Sequence, residues 1–168
     1  MRILLSLLAL SGAAAFAIAQ EPKHDHPAPA AGTPRTESPK GAKAYIVSPK
    51  DGKTVGKKVL VRFGLKGMGI APAGIQFPNT GHHHLLIDVA EMPDMTIPLP
   101  ANDNIKHFGG GQTEAMIELT PGQHTLQLVL GDHLHIPHNP PVVSDKITIT
   151  VGEAGAAAKE AKGDKKAE

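Results

Sequence analysis

Ten histidines stand in this chain of 168 residues. Six of them fall in two short clusters. His82, His83 and His84 begin the apolar run GHHHLLIDV, and His133, His135 and His138 follow the apolar run that starts at His124. Neutral imidazole is the commonest protein ligand for transition metals. Cysteine is absent, so an ion could be held only by imidazole, carboxylate, thioether or backbone oxygen. The candidate ligands are His82, His84, His133 and His135, with His107, His138 and Met68 as alternates. Asp88 and Asp132 are candidates for the outer shell, where a carboxylate accepts the free ring N–H of a ligating histidine. A thioether from Met68 would suit copper, and an added carboxylate would suit zinc. The competing reading is a network of imidazoles hydrogen-bonded among loops without metal. Residue types alone leave both open.

Two clusters so far apart in sequence act together only if the fold joins them. Alternating apolar residues predict strands over Ala44–Ser48, Lys58–Leu65, His82–Val89, Gln112–Leu119, His124–Gly131 and Lys146–Val151. Met95–Leu99 reads as a short edge piece broken by Pro98. Thr120-Pro121-Gly122-Gln123 has the chemistry of a type II turn and predicts a hairpin. Short strands with turn signals and no helical period predict an all-β fold, an immunoglobulin-like β-sandwich of about seven strands.

In such a sandwich the strands at 82–89 and 124–131 are antiparallel neighbours, so the start of one lies beside the end of the other. With Leu85, Ile87, Leu126, Leu128 and Leu130 facing the core, parity sends His82, His84, His133 and His135 to the opposite face. His107, just before Gly109-Gly110-Gly111, belongs to the same pole, as do the long loops 67–81 and 132–145. Loops of that length in a compact domain generally carry function. His124 falls at the other pole and reads as structural, while His24 and His26 read as solvated.

Residues 1–19, MRILLSLLALSGAAAFAIA, have a basic start, an apolar stretch and a closing Ala17-Ile18-Ala19, the pattern of a cleaved secretory signal peptide. The expected organisation is that signal peptide, a disordered Pro/Ala-rich linker over 20–42, a His-rich sandwich domain over 43–151 and a disordered charged tail over 152–168. The expected location is periplasmic or secreted. No transmembrane segment is expected after cleavage, because no second long apolar run occurs. Without Arg2, basic and acidic side chains balance at sixteen each. No basic stripe is interleaved with aromatics, so nucleic acid is not an expected partner. The expected partner is a metal ion or a small envelope ligand, and the oligomeric state stays open.

Catalysis is not the expected role. Ser48 and Ser144 are the only serines over 43–151, and neither lies in a G-x-S-x-G elbow. The acids are scattered rather than paired as in a glycosidase. A water activated by a metal at the histidine pole is the one hydrolytic route left open. The alternative to metal binding is a metal-independent envelope module that recognises a glycan or protein through its pole loops.

The stretches SPKDGKTV, VRFGLKGMGIAPAG, PNTGHHHLLID, HFGGGQTE, LTPGQHTLQLVLGDHLHIPHNPP and SDKITITV lie within the run from Tyr45 to Val151. Over this span the chain resembles a bacterial family known as domain of unknown function 4399. The resemblance implies an exported, immunoglobulin-like domain with no established activity, and it supplies no residue roles. The opening SPKDGKTV turn is also similar to that of some exported copper-handling sandwiches, over one strand only.

Overall fold

Apolar alternation builds two sheets and a core between them. The computed structural model describes residues 34–152. The predicted signal peptide, most of the predicted linker and nearly all of the charged tail lie outside the described residues. All regular structure within them is β. The elements are β1 (Lys43–Ser48), β2 (Thr54–Val55), β3 (Lys58–Lys66), β4 (Gly69–Ile70), β5 (Thr80–Ile87), β6 (Ile105–His107), β7 (Glu114–Glu118), β8 (Gly122–Gly131) and β9 (Ile147–Val151). One sheet has the order β1-β3-β7. The other has the order β2-β9-β8-β5-β4, with β6 also paired to β5. The fold is therefore the predicted β-sandwich. No helix among the described residues is long and apolar enough to cross a membrane.

Val59, Val61 and Phe63 of β3 pack in one core with Leu85 and Ile87 of β5 and Leu126, Leu128 and Leu130 of β8. Burial of each such side chain stabilises the fold by about 1.5–3 kcal/mol. Parity would leave the other face of β5 wet, yet every residue from Gly81 to Ile87 is buried. Leu86 and Val129 lie in a second, smaller core with Leu99 and Ile105, flanked by Val89, Met95 and Val143. The 89–105 segment and the loop after β8 thus cover the outer face, and the histidines on it are covered too.

Three expectations are corrected. Met95–Leu99 forms a turn rather than a strand. Pro98 lacks the donor a ladder needs, and Leu99 is drawn into the small core. The edge strand is β6, whose Ile105–His107 pairs Leu86–His84. The Thr120–Gln123 turn does not close a hairpin: β7 pairs β3, while β8 pairs β5 and β9. Ile117 and Leu126 enter the same core from opposite sheets, so the chain crosses between layers there. Finally, residues 35–39, assigned to the linker on composition, pack on the loop after β8. Ser38 N–H donates to Asn139 O and Asn139 N–H to Thr36 O, at 3.2 and 2.9 Å.

Candidate metal centre

The β5–β8 register sets His82 opposite Gly131 and His84 opposite Val129. On the other side of β5, β6 sets His107 opposite His84. Beyond Gly131 the chain leaves the ladder and reverses. Asp132 Oδ1 accepts the N–H groups of Leu134 and Ile136 at 2.9 and 3.0 Å. Within that turn His135 adopts φ 67°, a left-handed conformation that costs a non-glycine residue on the order of 1–3 kcal/mol. The turn returns the His135 ring to β5, with Nδ1 3.1 Å from His82 Nε2.

One ring nitrogen from each of His82, His84, His107 and His135 lies within 4.8 Å of the other three. The ring centroids are separated by 4.7 Å (His107–His135) to 6.1 Å (His84–His135). Two glycines let the backbone approach these rings. A Cβ at Gly131 would stand 2.8 Å from the His84 ring, and one at Gly109 would run into the His107 ring.

His82 and His84 are 0% and 1% exposed. Neither ring nitrogen of His84 has a hydrogen-bond partner, and His82 Nδ1 has none. A buried polar atom left unpaired costs about 1–3 kcal/mol. Burial, followed by the neighbouring imidazoles of His135, His107, His83 and His138, pushes the His82 pKa down to about 3. Burial and then His82, His107, His135 and His83 hold that of His84 well below its usual range. Burial alone lowers His83 to about 4. Its ring faces the main core, 5.2 Å from that of Phe63. His82 and His84 are therefore neutral at pH 7, the form that coordinates metals.

A four-nitrogen set of this kind could hold a metal ion. Imidazole donors in general suit transition metals rather than oxygen-seeking ions such as magnesium and calcium. Tetrahedral bonds of about 2.0–2.1 Å imply nitrogen separations of roughly 3.4 Å. Ring rotations that close the widest gap by up to about 1.4 Å would complete such a shell.

Among the sequence candidates, His82, His84, His135 and the alternate His107 come together, and His133 is not one of the four. Parity past Gly131 fails because the strand has become a turn: the His133 carbonyl accepts Gly74 N–H at 2.9 Å instead. His138 is buried with Nε2 3.2 Å from Thr80 O and Nδ1 3.4 Å from Leu130 O, so it is tied to backbone. Met68 packs against the main core. Asp88 lies at the opposite pole, where it accepts from His124 Nδ1 at 2.6 Å and Thr125 N–H at 2.8 Å. Asp132 organises the backbone of its own loop. The loops do meet as topology requires, since Ala73 N–H donates to Gly109 O. His107 stands only as an alternate in the sequence because a three-residue strand carries no alternation; the glycines after it mark its loop.

Residues 61–152, which contain all four clustered histidines, match the family Domain of unknown function (DUF4399). The chain belongs to that family. No curated protein and no solved structure matches it. In this DUF4399 domain the matched span holds β5, β6, β8 and the turn bearing His135, and so every element that supplies a clustered ring.

Proposed function

We propose that this DUF4399 protein is an exported metal-binding protein. It holds one copper or zinc ion through His82, His84, His107 and His135 and handles or senses that metal without turning over a substrate. The observation that carries the reading is His84, fully buried among three other imidazoles with both ring nitrogens unpartnered. A metal-free polar network should instead tie such rings to backbone or carboxylate, as His138 and His124 are tied. Copper(II) should bind tighter than zinc, following the general affinity order of divalent ions at nitrogen sites. The signal-peptide pattern of residues 1–19 supports export to the periplasm or beyond.

Calorimetric titration of the untagged mature protein tests this. One equivalent of copper(II) should bind with sub-micromolar affinity, and a His82→Ala, His135→Ala double variant should lose it. Weak, non-stoichiometric binding unchanged in that variant would refute the proposal.

One observation favours a second reading, a metal-independent binding module. Ile75 and Phe77 are 56% and 66% exposed, on a loop whose Gly74 is hydrogen-bonded to His133. Capture of an envelope glycan or protein that is insensitive to chelator and lost in Phe77→Ser would support that reading over metal handling.

A further inference from the structure

The loop that delivers His135 is held from two sides. From within, Asp132 Oδ1 takes the N–H groups of Leu134 and Ile136, and Asp132 O takes His135 N–H at 2.9 Å. From outside, the segment before β1 runs along it as a strap. Thr36 Oγ1 donates to Asp132 Oδ2 at 2.7 Å. Arg35 Nε donates to Pro137 O at 2.9 Å, and its guanidinium also donates to His138 O. Glu37 pairs with Asn139 in a parallel bridge, and Ser38 Oγ donates to Pro140 O at 2.7 Å.

Asp132 is only 2% exposed. A buried carboxylate must have its oxygens satisfied or it destabilises the structure around it. Oδ1 is satisfied by the loop itself, whereas Oδ2 accepts from Thr36 Oγ1. The same loop holds His135 in a left-handed conformation, which persists only where its surroundings over-determine it. The strap lies outside the matched span 61–152, and all four clustered histidines lie inside it.

We propose that Thr36, assisted by Arg35, is a positioning residue that fixes His135 in the metal centre through the Asp132 carboxylate, so that the segment N-terminal to the domain sets metal affinity. The inference rests on the metal reading above. Outer-shell contacts of this kind are worth roughly 10- to 100-fold in metal affinity.

The test uses the full mature chain and copper(II) as the probe. Affinity is measured by chelator competition, and the number of coordinating nitrogens by electron paramagnetic resonance. Thr36→Val should bind copper(II) about 10- to 100-fold more weakly, with a spectrum that loses one imidazole, and Thr36→Ser should restore both. If Thr36→Val does not fold, Thr36→Ala carries the same test, because it removes the same donor to the Asp132 carboxylate. A folded variant with unchanged affinity and an unchanged nitrogen count overturns the inference. A wild-type chain that binds no copper(II) fails the metal reading itself and takes this inference with it.

Discussion

At one pole of the sandwich His124 gives Nδ1 to Asp88 at 2.6 Å and Nε2 to Thr120 O at 2.8 Å. At the other, His84 is more deeply buried and gives neither nitrogen to anything. Burial pulls the His124 pKa down, but the bonds to Asp88 and Thr120 and the Asp88 charge outweigh it, and the net shift is upward. For His82 and His84 no carboxylate offsets burial, and both shifts run downward. The histidine at the first pole is closed by its neighbours, whereas the His84 ring at the second is buried without a hydrogen-bond partner. A cation that accepts imidazole lone pairs would fill that role.

The largest effect that sharpens this contrast should come from His84→Leu. It should abolish stoichiometric copper(II) binding, a loss beyond the roughly 100-fold expected of an outer-shell change. In the metal-free protein the same variant should raise stability by about 1–3 kcal/mol, because an unpaired buried polar group is replaced by an apolar one of similar size. Chemical denaturation with and without copper(II) reads both. Loss of metal-free stability would mean that the ring is already satisfied, as at His124.

Gly131→Ala comes next. Its Cβ would press on the His84 ring at 2.8 Å and on the His135 backbone at 3.3 Å, and overpacking of this kind costs about 1–3 kcal/mol. Thermal unfolding should show the loss, together with weaker metal binding.

The two poles should also answer pH in opposite directions. A base whose folded pKa is lowered leaves more protons on the unfolded chain, so stability rises with pH there. For His82 the contribution is complete above 6.5, the unfolded value, and is lost as pH falls toward about 3. For His124, whose folded pKa is raised, stabilisation is complete below 6.5 and is lost as pH rises through the folded value. Asp88→Asn should remove only the second dependence, with a stability change under about 1 kcal/mol. This is the smallest effect, measured by urea unfolding across pH. A change in the acid limb would show that the poles are coupled.

Much of the frame was legible in the sequence. Leu85 and Ile87 on β5 and Leu126, Leu128 and Leu130 on β8 alternate cleanly, and they do face one core. Strand order then placed the histidines of β5 beside the end of β8. Other features resisted because they depend on contacts rather than periods. The covering of Leu86 and Val129 by Leu99 and Ile105 leaves no periodic trace. The three residues of β6 are too few to alternate, so the pattern gives His107 no assigned face. The loss of His133 from the set follows from one turn after Gly131, where a side chain–backbone motif at Asp132 overrides strand parity. The Pro121-Gly122 pair marked a reversal correctly, but could not say whether it stayed within a sheet or crossed between two.

X-ray absorption at the zinc edge, on the protein loaded with one equivalent of zinc, reads whether four imidazoles surround one ion. A single shell of four nitrogens at about 2.0–2.1 Å is expected, with the outer scattering of four imidazole rings. A shell dominated by oxygen, or one with fewer than three imidazoles, would contradict it.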